Sequence, residues 1–178
     1  MLVRREQFVA GPGATEAGAA LARHLADVLA GLGPELLGAY WRLGSEFNAA
    51  LALAAGSTLA KLPNPWPMAL PFAQRAPVCM HYRSWDGTAP TVVDECGISS
   101  GSGAAALPDV VLVPCVGFTA AGFRLGYGAG YFDRWLAEHR DVTAVGVAWA
   151  VGQIDAGAYE PQPHDMPMTL IVTERGVV

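Results

Sequence analysis

The sequence predicts a three-layer α/β fold, a mainly parallel central sheet covered by helices on both sides. Three observations carry that expectation. The run 109-DVVLVP-114 is almost continuously β-branched or aliphatic, the mark of a strand buried on both faces. Residues 15–32 place Ala20, Leu21, Leu25, Val28, Leu29 and Leu32 at helical spacing. Strand-like and helix-like segments then alternate to the end of the chain, as covered parallel sheets require. Neither an internal repeat nor a linker composition is evident, so residues 1–178 are expected to form one domain, a length that buries roughly 70% of the unfolded surface.

The elements follow in order. The 15–32 helix opens at Thr15 and Glu16 and stops near Gly31 and Gly33. LLGAYW (36–41) is short and apolar before a Gly-Ser break, which suits a buried strand, and EFNAALALAA (46–55) returns to helical composition. STLAKLP (57–63) reads as a strand. NPWPMALP (64–71) reads as loop or sheet edge, because proline supplies no ladder donor. PVCMHYRSW (77–85) alternates as a strand does, whereas 86–108 is turn-rich and its SSGSGAAAL part (99–107) is expected to be a flexible surface loop. After the strand 109–114 come a loop 115–130, a helix across 131–139, a strand 143–150, the polar stretch ending in 161-PQPHDMP-167 and a last strand 169–174.

Composition narrows the function classes. Hydrophobic residues make up 52% of the chain and charged ones 15%, which excludes a disordered chain. A net charge of −5 disfavours general binding of nucleic acid or acidic membranes, so any phosphate site must be local. Lys61 is the only lysine; arginine supplies the remaining positive charge. Cys79, Cys96 and Cys115 are odd in number and form no C-x-x-C pair, and are expected to be reduced, mostly buried thiols. The N-terminal residues lack the apolar core of a secretion signal, and no apolar run reaches the length of a membrane span, so a cytoplasmic protein is expected.

The chemistry concentrates in 124-RLGYGAGYFDR-134. A glycine-rich segment before a helix can be only a tight turn. Here Gly126, Gly128 and Gly130 follow a buried strand, so the loop is expected at the C-terminal edge of the sheet, where bare backbone N–H groups and a helix start can converge on an anion beside Arg124. The spacing differs from the dinucleotide G-x-G-x-x-G, and no G-K-[ST] follows as in a P-loop. Asp133, in the first helical turn, can complement the helix dipole or pair with Arg134; alternatively it can ligate a magnesium ion that accompanies a nucleotide, with Asp165 as the second carboxylate. Glu46, just past a strand, reads as capping or beginning a helix. His81, His139 and His164 show no metal-ligand spacing, and His164 beside Asp165 reads as a surface loop residue.

Taken together, DVVLVPCVGF, GFRLGYGAGYFDRWL, AVGVAWA and PHDMPMTLIVTE resemble the 5-formyltetrahydrofolate cyclo-ligase (5,10-methenyltetrahydrofolate synthetase) family, densely over 109–174 and more weakly at 39-AYWRLGSEFN-48 and 82-YRSWDG-87. The resemblance implies a fold like that of the sugar-phosphate isomerase and CoA-transferase group. It also implies that ATP phosphorylates the formyl oxygen of 5-formyltetrahydrofolate and N10 closes the ring, giving 5,10-methenyltetrahydrofolate, ADP and phosphate. Carried onto this chain, it puts Arg124 and Tyr131 in catalysis. The nucleotide falls on Arg124, Leu125, Gly126, Tyr127, Gly128, Ala129, Gly130, Tyr131 and Phe132, with Arg4 and Arg5 in place of N-terminal basic residues. It puts folate on Trp41, Glu46, Tyr127, Gly128, Gly130 and Tyr131, and Mg²⁺ on Asp133 and Asp165. A monomer or weak homodimer without nucleic-acid or membrane partners goes with that reading.

Departures from the family pattern are specific. No lysine precedes Lys61, a Gly-Ile-Pro-Glu-Pro loop appears as 97-GISSG-101, Phe132 replaces a common tyrosine, and Asn48 stands where an acidic residue is frequent. They leave a second reading open: a non-catalytic paralogue that binds folate or nucleotide in a regulatory role.

Overall fold

The computed structural model describes residues 1–54, 66–155, 157–162 and 165–178. The strand expected over 57–63 and His164 lie outside the described residues. The helices are α1 (Leu2–Ala10), α2 (Ala14–Leu32), α3 (Ala49–Leu53) and α4 (Tyr131–Glu138). The strands are β1 (Leu37–Gly38), β2 (Met68–Arg75), β3 (Val78–Trp85), β4 (Val92–Val93), β5 (Ser99–Ser100), β6 (Ala105–Ala106), β7 (Val110–Pro114), β8 (Gly117–Phe118), β9 (Arg124–Leu125), β10 (Thr143–Val147), β11 (Leu170–Thr173) and β12 (Gly176–Val177).

One sheet runs in the order β12-β11-β10-β7-β1-β2-β3-β6. From β11 to β2 every pairing is parallel, and the outer pairings β11–β12, β2–β3 and β3–β6 are antiparallel. The expected mainly parallel, three-layer arrangement is therefore the observed one. β7 shows why its sequence is continuously apolar. Val110 and Leu112 join the core under α2 and α3, while Val111 and Val113 join a second core under Trp135 and Leu136 of α4. β1 is short but closely packed: a Cβ at Gly38 would lie 2.8 Å from Tyr82 and Val111 and 2.9 Å from Pro108, so only glycine fits there.

Several elements differ from expectation for identifiable reasons. Residues 68–71, read as loop or edge, lie inside β2, an interior strand. The Pro67 and Ala69 carbonyls accept from Leu37 and Ala39, so the Pro71 nitrogen faces the same side just past the end of β1, where no ladder donor is needed. The 99–107 stretch contains β5 and β6, with Ser100 fully buried. A Cβ at Gly101 or Gly103 would come within 2.7 Å of β3 carbonyls, so these glycines serve close packing. Over the described part of the helix expected at 46–55, helix runs Ala49–Leu53, and its cap is Asn48, whose Oδ1 accepts from the Leu51 N–H at 3.2 Å; Glu46 does not cap it. α1 lacks a clear apolar period because it buries one arginine, Arg5, along with part of Phe8 and Val9. Of the thiols, only Cys115 is buried; Cys79 and Cys96 are half-buried, and all three are free. No helix among the described residues is long and apolar enough to cross a membrane.

Candidate active site

The parallel strands end on a common edge, and the chain leaving them builds one cavity of about 390 Å³. Tyr40 and Trp41 follow β1, Pro114 ends β7, and Pro71 and Ala73 come from β2. The hairpin β8–β9 carries Arg124 over that edge and delivers the glycine loop to the start of α4. Gly128 (φ 87°) and Gly130 (φ 64°) take the left-handed backbone that makes this turn possible. Gly130 is the N-cap of α4, and no side chain caps it.

Side-chain hydrogen bonds hold the loop. Arg124 Nη2 donates to Asp133 Oδ2 at 2.8 Å, an ion pair with side chains only 6% and 18% exposed. Sequence reading offered Arg134 as the partner of Asp133; Arg134 instead donates to the Ala129 carbonyl at 2.6 Å and lies over the Tyr131 ring. Arg5 Nη2 donates to the Tyr127 hydroxyl at 2.5 Å, and that hydroxyl donates to the Leu43 carbonyl at 3.4 Å. Two guanidinium nitrogens, Arg5 Nη1 and Arg124 Nε, are buried with no hydrogen-bond partner among the described residues.

On the opposite wall, Glu46 is 6% exposed and its Oε2 accepts from the Leu43 N–H at 2.7 Å. Burial lifts its carboxyl above the ordinary 4.5, against the opposing pulls of the Leu43 N–H, Arg5 and the Tyr127 hydroxyl. Trp41 lies edge-on to Trp85 with ring centroids 6.0 Å apart. The Tyr131 hydroxyl donates to the Gln74 carbonyl at 3.1 Å and accepts from Cys96 Sγ at 3.3 Å, and the contact with Cys96 raises its pKa.

All but two of the predicted site residues thus meet on this cavity: Trp41, Glu46, the loop from Arg124 to Phe132, Asp133 and Asp165. Arg5 touches it through Tyr127, whereas Arg4, the next position around α1, is exposed. Tyr40, Asp94, Cys96 and Tyr159 also line the cavity and were not anticipated. Asp94 is 7% exposed and accepts from the N–H groups of Ala73, Cys96 and Ile98 at 3.1, 2.8 and 2.8 Å, tying the β4–β5 hairpin to β2. Its sequence signal is the turn-forming D-E-C-G. Tyr159 donates to Asp165 Oδ2 at 2.7 Å; burial and the neighbouring carboxylates push its hydroxyl up to about 12. No spacing in the sequence marks Tyr159. Among the described residues no three His, Cys, Asp or Glu side chains converge as a metal-ligand cluster.

Residues 98–174 match the model of the 5-formyltetrahydrofolate cyclo-ligase family. That segment contains Arg124, the glycine loop, Asp133 and Asp165, and the resemblance read over 109–174 is borne out; Arg5, Trp41 and Glu46 precede it. Two curated proteins described as 5-formyltetrahydrofolate cyclo-ligase are similar. One, from Mycoplasma pneumoniae, is 34% identical over 67 residues, covering 37% of this chain and 39% of that protein. The other, from Mycolicibacterium smegmatis, is 39% identical over 71 residues, covering 39% of this chain and 36% of that protein. The matched segments thus span less than half the length of either curated relative. A solved structure described as a 5,10-methenyltetrahydrofolate synthetase from Mycoplasma pneumoniae superposes with a TM-score of 0.68 at 18% identity, over 97% of this chain and 98% of that one. At that identity the likeness establishes the shared fold.

Proposed function

We propose that the chain is an ATP-dependent 5-formyltetrahydrofolate cyclo-ligase, folding as one domain and acting in the cytoplasm as a monomer or weak homodimer. The observation that carries this reading is the union, in one cavity, of a glycine loop at a helix start with a buried carboxylate and a tryptophan on the facing wall. The first half suits a phosphate chain and the second a polar heteroaromatic ring.

The loop N–H groups and the start of α4 receive the phosphates, and Arg124 offers its orphaned Nε and its charge to them. The formyl oxygen of the substrate takes the γ-phosphoryl group and ADP departs. N10 then attacks the formyl carbon and gives up its proton to solvent, and phosphate leaves with the former formyl oxygen as the carbon–oxygen bond breaks, giving the 5,10-methenyl product. Phosphoryl transfer of this kind depends on positioning and charge neutralisation more than on covalent help from the protein. Trp41 flanks the ring system, Glu46 accepts hydrogen bonds from its polar edge, and Tyr131 bounds the reacting centre.

The donor set suits Mg²⁺. Asp133 and Asp165 are hard carboxylates lining one cavity, and magnesium takes one or two such groups together with phosphate oxygens. The ion would supply neutralisation of phosphate charge. Arg124 orients Asp133 from the side, and the first turn of α4 holds that carboxylate rigidly.

The test is direct. Purified protein mixed with 5-formyltetrahydrofolate, ATP and Mg²⁺ is expected to develop methenyl absorbance only when ATP is present. Folate or nucleotide binding without that absorbance would establish the non-catalytic reading, and absorbance without ATP would overturn the mechanism.

A further inference from the structure

We infer that Tyr159 is a positioning residue for Asp165, its hydroxyl fixing the carboxylate for a divalent cation that arrives with nucleotide phosphates. The inference rests on the proposed reading of Asp165 as a metal ligand. Asp165 itself lies outside regular secondary structure, and backbone hydrogen bonding alone would leave its side chain to choose among rotamers. The structure restricts that choice. Tyr159 Oη donates to Asp165 Oδ2 at 2.7 Å, and the Gln162 N–H donates to the same oxygen at 2.8 Å. The Asp165 N–H donates to the Gln162 carbonyl at 2.9 Å. Two donors on one oxygen set the plane of the carboxylate.

Tyr159 also relates Asp165 to other charged groups of the cavity. Its hydroxyl lies within electrostatic reach of Asp133 and Arg124, which come from α4 and β9, more than twenty residues away in the chain. All four side chains line the same cavity. Outer hydrogen bonds to metal-bound carboxylates orient the ligand and raise its affinity, which gives a neutral phenol a function in a site whose other groups are charged.

The experiment uses the full chain with ADP bound and Mn²⁺ as the probe, titrated by electron paramagnetic resonance, with Tyr159→Phe, Asp165→Asn and the double variant. Tyr159→Phe keeps the ring and removes the donor, and it is expected to weaken Mn²⁺ binding about tenfold. The KM for Mg²⁺ should rise in parallel, with the KM for 5-formyltetrahydrofolate and the melting temperature unchanged. In the Asp165→Asn background the Tyr159 change should add nothing. Wild-type Mn²⁺ affinity in Tyr159→Phe together with weakened binding in Asp165→Asn overturns the inference and leaves the metal reading standing. Wild-type affinity in both overturns the metal reading as well. A loss of melting temperature accompanied by equal rises in both KM values identifies a merely structural tyrosine and also overturns the inference.

Discussion

Gly126→Ala tests whether the site depends on the exact seat of Arg124. Gly126 has no left-handed φ, so alanine fits its backbone and the effect is steric. An added Cβ would lie 2.6 Å from Arg124 Nη1 and 3.7 Å from its Cζ. An exposed arginine would swing aside, but this guanidinium is buried and tied to Asp133 at 2.8 Å. Regaining ordinary contact requires a retreat of about 0.8 Å, enough to stretch the ion pair beyond hydrogen-bond length. Weakening a charged hydrogen bond in a largely buried pair costs roughly 2 kcal/mol. For a chain of this length that lowers the melting temperature by about 4–8 °C. If Arg124 neutralises the phosphates, a displacement near 1 Å lowers turnover by about a hundredfold. Gly33→Ala, at the end of α2 and outside the cavity, is the control. Nothing lies within 4 Å of its added Cβ, but its φ of 60° is strained for alanine at about 1–2 kcal/mol. It should destabilise comparably while leaving turnover much closer to wild type. Differential scanning calorimetry and the methenyl absorbance assay read the two effects separately. Wild-type melting and turnover in Gly126→Ala would refute the argument that Arg124 is pinned.

Three further outcomes are expected. Burial raises the Glu46 pKa, so its contribution to stability is fully present below the ordinary 4.5 and is lost as pH rises through the raised folded value. Glu46→Gln should therefore be at least as stable as wild type to urea at neutral pH, with the difference narrowing on acidification, while turnover falls; a less stable variant at neutral pH contradicts this. Asp94→Ala leaves the N–H groups of Ala73, Cys96 and Ile98 without their acceptor and should cost about 3 kcal/mol in urea unfolding, a loss under about 1 kcal/mol arguing against the anchoring role. Burial pushes the Cys115 thiol up to about 12, so iodoacetamide at mildly alkaline pH should spare it in the folded protein, label it after unfolding, and reach Cys79 and Cys96 in both states, as peptide mass spectrometry would record.

The parts of the fold legible in the sequence were those whose pattern repeats along several residues. The 19-residue α2 and the five-residue β7 announce themselves by period and by continuous apolarity. The edges were less legible because their cause is tertiary. Pro71 sits in an interior strand only because β1 is two residues long, and Gly101 and Gly103 look like flexible punctuation until β3 is placed against them. The candidate site divided the same way. The glycine loop, Asp133 and Asp165 stood out through local motifs, and the match over 98–174 covers them. Asp94 and Tyr159 act through partners 2 to 21 and 6 residues away, and the Asp133 partner is nine residues back in β9 rather than adjacent.

The structure gives the glycine loop a rigidity that its own residues do not supply. Three glycines within five positions would cost an isolated loop considerable conformational entropy on closing around an anion. Here that entropy is already lost in the folded chain, because the loop is held by Asp133 through Arg124, by Arg134 through the Ala129 carbonyl, and by Arg5 and Leu43 through Tyr127. Preorganised donors strengthen binding and transition-state stabilisation because little reorganisation is left to perform. The last of these clamps reaches across the cavity, for Leu43 also donates its N–H to Glu46. Leu43 and the Tyr127 hydroxyl, which itself lies against the Glu46 carboxylate, therefore link the glycine loop to that carboxylate. The loop and Glu46 are thus tied together, which suits the proposed reaction of a phosphate donor with a second substrate.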